Sequence, residues 1–195
     1  MRNFTNEDLA LCNDRPEEYC RNWELDAGPD TVAFRSAMRK VVGGVTVITT
    51  LHEDRPWGMT VSAFTPVCMD PPTLLVCVNR DTVTANCITK LQRFAVNVLS
   101  QDQLAISQFC SRPREDKFVE EFVVPRCEHP DRIHMPVLQN SLITFDCSAT
   151  ATLVVNSHLV VMGRVTSVLA PTAKKPLLYG EGQYMHGVEL QMAVA

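Results

Sequence analysis

From Val41 onward the chain is a succession of short apolar segments rich in β-branched residues, each interrupted by polar residues, proline or glycine before it grows long. Residues 41–51, 58–64, 73–78, 94–99, 142–155 and 159–169 all have this texture and are predicted as strands. Such strands can be buried only by pairing with one another, because they do not alternate with the long helices that parallel crossovers need. The expected fold is therefore mainly β, a barrel-like sheet with a few peripheral helices. Three short helices are predicted: 31–40, capped by Asp30 or Thr31 with Phe34, Met38 and Val41 on one face; 81–92; and 101–109. Loops fall at 52–56 and 66–72, and Asn156, Ser157 and His158 form a tight turn. Residues 111–140 are charged and carry Pro113, Pro125, Pro130 and Pro136, which reads as a helical turn and a long surface loop. Residues 1–30 are a polar arm closed by Gly28, Pro29 and Asp30, so the domain is 31–195.

Several classes of function are excluded at this level. A chain of 195 residues, 46% hydrophobic, can bury a sufficient core without metals or disulfides. The eight cysteines are spread widely, some inside apolar runs such as Leu74-Leu75-Val76-Cys77-Val78, and no C-x-x-C pair occurs, so they are expected to be buried free thiols and not a zinc site. A net charge of −4 with 18 scattered basic residues argues against a nucleic-acid partner. No apolar run approaches the ~20 residues that span a bilayer, and the N-terminus has no signal-peptide core, so neither a membrane nor export is expected and the cytoplasm is the predicted compartment. The G-x-G-x-x-G dinucleotide fingerprint is also missing.

Four stretches could carry chemistry. In Gly58-Met-Thr-Val-Ser-Ala-Phe-Thr-Pro-Val-Cys-Met-Asp-Pro-Pro72, Thr60, Ser62 and Thr65 are small polar groups spaced to face a ligand, while Gly58 and Ala63 would let backbone approach a flat ring; an edge strand with a polar outer face is the competing reading. In Asn79-Arg-Asp-Thr-Val-Thr84 a strand gives way to a helix, whose N-terminus attracts phosphate, with Thr82 and Thr84 adding hydroxyls and Arg80 a full charge; a simple cap by Asp81 or Thr82 competes. Ser111, Arg112, Arg114 and Lys117 crowd anion donors together, offset by Glu115 and Asp116. His158 in its turn could orient a carboxamide or donate a proton, and Tyr184 between glycines could stack on a ring; each could equally be an ordinary surface or packing residue.

Taken in order, Phe34-x3-Met38, Gly44-Val-x-Val47-x-Thr49, Gly58-Met-Thr-Val-Ser-Ala-Phe64, Asp70-Pro-Pro72, Val76-x-Val-Asn79 and Phe94-Ala-Val-Asn-Val-Leu99 resemble the flavin reductase-like family, the short-chain reductase components of two-component flavin-dependent monooxygenases. Lys117-Phe118, Ser157-His158 with Gly163-x-Val165, and Pro176-Leu-Leu-Tyr179 before Tyr184 agree, so the resemblance covers residues 34 to about 187. It departs from the family pattern at Asn156-Ser157, where Gly-Asp is usual, and at Cys110-Ser111, where Ala-Gly is usual. The resemblance implies an FMN-binding split β-barrel, a homodimer, FMN or FAD as cofactor and NADH or NADPH as hydride donor. It places Thr60, Val61, Ser62 and Ala63 along the isoalloxazine. Asn79, Thr82 and Thr84 fall near the ribityl chain and phosphate, across from Ser111 and Lys117. His158 and Tyr184 fall where the nicotinamide approaches. The implied activity is hydride transfer from NAD(P)H to flavin, with reduced flavin passed to a separate oxygenase. Two alternatives remain: a reductase that keeps its flavin and reduces a corrin or quinone, and a non-catalytic flavin- or heme-binding module.

Overall fold

The structure, a computed structural model, describes residues 30–113, 116–130, 132–170 and 174–188. Of the predicted arm, residues 1–29 lie outside the described residues, as do Cys12, Cys20 and Arg114. The chain divides into two compact units, Met1–Met38 and Arg39–Ala195. In the first, Asp30 begins helix α1 (Thr31–Arg39) by accepting the Val32 amide at 2.9 Å, one of the two caps the sequence offered.

Among the described residues, the second unit holds ten strands and two α-helices. A three-stranded sheet orders as β1 (Gly43–Gly44), β9 (Leu177–Gly180), β10 (Gln183–His186). A seven-stranded sheet orders as β3 (Arg55–Val61), β2 (Thr46–His52), β6 (Arg93–Val98), β7 (Ile143–Val155), β8 (His158–Leu169), β5 (Pro72–Asn79), β4 (Phe64–Met69), with every pair antiparallel. The mainly-β expectation holds, and the sheet is open between its end strands β3 and β4. Helices α2 (Val83–Leu91) and α3 (Leu104–Ser111) pack on it.

Residues Thr46–Thr50 of β2 are buried on both faces, which is why the sequence there is continuously apolar and small-polar and does not alternate. One core, on the Ile48 side, gathers Phe94, Val76, Val78, Ile88 and Val161; the other, on the Val47 side, gathers Leu99, Ile106, Cys110, Val119, Leu138 and Leu177. The small sheet joins at Val45, which donates to the Leu177 carbonyl at 2.9 Å and accepts from the Leu99 amide at 2.9 Å.

Three sequence expectations are corrected. Residues 52–56 are not a loop: Glu53 and Asp54 have φ of 52° and 59°, the two-residue hairpin turn whose twist lets β2 run directly into β3. The span 66–72 is largely strand, because β4 is an edge strand, where Pro66 needs no ladder amide, and the pairing shifts register between Pro66 and Cys68. The segment 111–140 is no mere surface loop, since Val119, Ile133, Met135, Val137 and Leu138 are buried. The six described cysteines are free; Cys87, Cys110 and Cys147 are buried as expected, whereas Cys68 and Cys127 are exposed.

Candidate functional site

Two clefts border the chain at β3. The first, about 370 Å³, is lined by Thr60, Val61, Ser62, Ser111, Tyr179 and Tyr184 among others. The second, about 560 Å³, is lined by Trp57, Met59, Asn79, Thr82, Thr84 and Lys117, with Asp81 and Asp116 also on its wall. The sequence expectation is thus sorted by the fold. Asn79, Thr82, Thr84 and Lys117 are brought together, whereas Ser111 lines the other cleft with Thr60, Val61, Ser62 and Tyr184. Ala63 is exposed and lines neither; its carbonyl accepts the Cys77 amide at 3.1 Å. His158 is exposed at the start of β8, opposite Asn79, with its Nδ1 3.0 Å from Ser157 Oγ, and does not share a cleft with Tyr184.

Gly58 sets how closely α3 and the Lys117 segment approach β3. A Cβ there would lie 2.9 Å from Cys110 Sγ and 3.0 Å from Val119 Cγ1, and the Gly58 amide donates to the Lys117 carbonyl at 2.9 Å. The missing side chain therefore serves helix packing, a correction to the expectation that it opens the backbone to a ring. Burial pushes the Cys110 thiol up to about 12, against the opposing pull of the Lys117 charge. Cys110 is accordingly a packing residue and no nucleophile.

Hydroxyl protons decide what each polar residue has to offer. Thr60 Oγ1 donates to the Ser107 carbonyl at 2.7 Å, and Ser111 Oγ donates to the Gln108 carbonyl at 2.8 Å. Thr82 Oγ1 donates to the Asn79 carbonyl at 2.7 Å and accepts the Ala85 amide at 3.2 Å, the N-cap of α2. Asn79 Oδ1 accepts the Asp81 amide at 2.9 Å. Thr84, one residue into the helix, is 1% exposed, and its Oγ1 has no hydrogen-bond partner. Thr84 and Lys117 both line this cleft, and the buried, orphaned Thr84 hydroxyl at the helix N-terminus is matched chemically by an oxyanion acceptor such as a phosphate. The cleft is not uniformly cationic, although Arg80 Nε stands 3.6 Å from Asp81 Oδ1 and offsets its charge.

Ser107, which sequence reasoning passed over, ties the first cleft together. It is fully buried, and its Oγ is 2.9 Å from the Tyr184 hydroxyl while its carbonyl holds Thr60. Tyr184 in turn meets Tyr179 edge to face at 5.1 Å. The available signal was a small polar residue between the apolar Ile106 and Cys110 of a short helix.

Residues 38–187 match the flavin reductase like domain. The chain belongs to that family. It is 32% identical over 165 residues to the reductase component of 4-nitrophenol 4-monooxygenase/4-nitrocatechol 2-monooxygenase from Rhodococcus opacus, covering 85% of each chain. It is 34% identical over 166 residues to the flavin reductase (NADH) of Kitasatospora aureofaciens, covering 82% of this chain and 85% of that one. The flavin reductase PheA2 in its native state superposes with a TM-score of 0.72 at 30% identity, over 83% of this chain and 100% of that one. An NADH:FAD oxidoreductase of Streptomyces globisporus, solved with NAD and FAD fragments, gives 0.72 at 26% identity, over 85% of this chain and 98% of that one. The fold is therefore the split barrel of flavin reductases, and both clefts lie within the matched residues.

Proposed function

We propose that the protein transfers a hydride from NADH or NADPH to FMN or FAD and releases the reduced flavin to a separate oxygenase. The observation that carries this reading is the orphaned Thr84 hydroxyl beside Lys117 at the N-terminus of α2, a donor set for the phosphate end of a flavin. Bound flavin supplies the redox chemistry, and the protein supplies position and shelter. Lys117 and Thr84 hold the phosphate end; Asn79 and Thr82 shape the cleft around it, Thr82 through its cap. Thr60, Val61 and Ser62 border the ring, with Ser111 closing the end of α3; Ala63, which lines neither cleft, is left without a contact to it. Tyr184, fixed by Ser107, orients the nicotinamide, and His158, opposite Asn79 at the start of β8 and outside the Tyr184 cleft, has the weaker claim to that role. The names of relatives support the pairing with an oxygenase: one is a reductase component and another a flavin reductase using NADH.

A homodimer belongs to the same proposal. The outer ends of β7 and β8 and the edge strand β4 expose Leu153, Val154, Val155, Met162, Val67 and Met69, an apolar surface that a second copy would cover. The cytoplasm suits a chain whose six described cysteines are free. Among the described residues no helix is long and apolar enough to cross a membrane.

The deciding experiment follows NADH oxidation by purified protein with and without added FMN or FAD. Dependence on added flavin supports the proposal. Turnover that needs a quinone or corrin with flavin already bound would replace it with the tightly held alternative, and flavin binding without NADH oxidation would replace it with a binding module. Lys117→Ala should weaken flavin binding about ten- to a hundredfold, as loss of a charge-assisted contact of ~1.5–3 kcal/mol requires.

A further inference from the structure

Among its described residues, the helical structure in the connection from α3 to β7 is two single turns of 3-10 helix, Glu120–Phe122 and Arg126–Glu128. Connections longer than about 12–15 residues without structure of their own are usually functional or disordered. This one is pinned from below by buried polar groups. Asn97 Oδ1 accepts the Leu138 amide at 3.0 Å, and Thr49 Oγ1 donates to the Pro136 carbonyl. Asp146, fully buried, accepts the amides of His134 at 3.3 Å and Met135 at 3.2 Å and the Thr166 hydroxyl at 3.1 Å. The two halves of the connection also pair with each other, Val124 amide to Val137 carbonyl at 2.8 Å and Gln139 amide to Phe122 carbonyl at 2.8 Å. None of these groups lines the clefts along β3.

What the pinning builds is a cavity of about 450 Å³ between the connection and the β2–β3 hairpin. That volume lies within the roughly 300–1,000 Å³ of small-molecule sites. Its apolar wall includes Leu51, Val123, Val124, Met135 and Pro136. Its ionisable groups are Arg126, His129, His134, Asp54 and Glu120. Glu120 is engaged by Arg55, Nε to Oε1 at 2.7 Å. His129 Nε2 lies 3.0 Å from the Val124 carbonyl, so that nitrogen carries the proton and Nδ1 is the ring atom not used by the loop. One arginine and two histidines thus line the cavity beside an apolar wall, against the single remaining carboxylate, that of Asp54, among the described lining residues. No group of three His, Cys, Asp or Glu suited to a metal occurs among the described residues. We propose that this cavity is a second small-molecule site, separate from hydride transfer, that takes a carboxylic acid with an aromatic or branched apolar body. The guanidinium fork pairs with the carboxylate, and the rest of the molecule lies on Val124 and Met135.

Phenylacetate is the probe. It is titrated into the full chain saturated with FMN, with binding read by calorimetry and by NADH oxidation rate, alongside 2-phenylethylamine and benzyl alcohol. Phenylacetate should saturate with a Kd of roughly 0.1–1 mM, a reasonable affinity for about ten non-hydrogen atoms. Arg126→Gln, at an exposed position, should weaken it about tenfold or more while leaving the basal rate of NADH oxidation unchanged. Val124→Trp should block it by filling the cavity; if that variant fails to fold, Arg126→Gln decides alone. The proposal is overturned by absence of saturable binding up to roughly 10 mM, about tenfold above the top of that range. Equal binding of the amine overturns the acid preference. Binding that NADH displaces and Arg126→Gln leaves unchanged places phenylacetate in the β3 clefts and also refutes the proposal.

Discussion

Thr84→Val should move stability and affinity in opposite directions. Valine keeps the β-branched shape, so packing and helix propensity change little. What it removes is Thr84 Oγ1, which is buried with no hydrogen-bond partner. An unsatisfied buried hydroxyl costs roughly 1–3 kcal/mol by mutational measures, so the flavin-free variant should be more stable by about 1–2 kcal/mol. For a chain of this size that is a rise in Tm of roughly 3–6 °C. If the hydroxyl instead donates to a flavin phosphate, its removal forfeits a charge-assisted bond of ~1.5–3 kcal/mol, about ten- to a hundredfold in affinity. Added FMN should then stabilise the variant less than wild type at the same concentration, because the shift scales with the logarithm of ligand over Kd. Differential scanning fluorimetry across an FMN titration reads both quantities. A simple packing defect would lower stability and affinity together. A flavin-free variant less stable than wild type, or an unchanged flavin Kd, would refute the assignment of Thr84 to the phosphate end.

Other outcomes follow from single contacts. Ser107→Ala and Tyr184→Phe should each raise KM for NADH about three- to tenfold with flavin affinity intact, and the double variant should be no worse than either, since both break one bond; steady-state kinetics tests this. Gly163→Ala would put a methyl 2.6 Å from Phe94 Cζ in the core, so urea unfolding should show a loss of about 1–3 kcal/mol. The Cys110 thiol, raised to about 12 from 9.0, supports folding fully below pH ~9 and less as pH climbs toward ~12. Iodoacetamide at pH ~8 should accordingly label the exposed Cys68 and Cys127 and spare native Cys110, as mass spectrometry would show.

The strands were legible where burial follows from side chains alone. Phe94–Val96 and Leu74–Val78 are apolar because they pack in or against a core, and that survives in a single sequence. The connection after α3 was not legible, because what buries it is a set of polar anchors on distant strands. Asn97, Thr49 and Asp146 read as ordinary strand polars, and Pro125, Pro130 and Pro136 read as surface. Nothing local announces that Met135 and Leu138 point inward. β4 was missed for a similar reason: Pro66 argues against a strand until the strand is known to be an edge.

At the candidate site the limit is the fate of individual protons. Thr82 and Thr84 are indistinguishable in sequence, two threonines at the start of one helix. The helix needs its N-cap, and the residue just ahead of its first turn must supply it, so Thr82 accepts the Ala85 amide while its own proton goes to the Asn79 carbonyl. A donor so committed cannot also donate to a phosphate. Two residues on, the Thr84 side chain falls on the buried side of the helix beyond reach of any acceptor in the protein. The same reasoning applies across β3, where Thr60 spends its proton on Ser107 and Ser111 on Gln108, so that both shape the first cleft more than they hydrogen-bond within it. Residue type and spacing locate the candidates; which hydroxyl still has a proton to offer depends on carbonyls that only the folded backbone brings near.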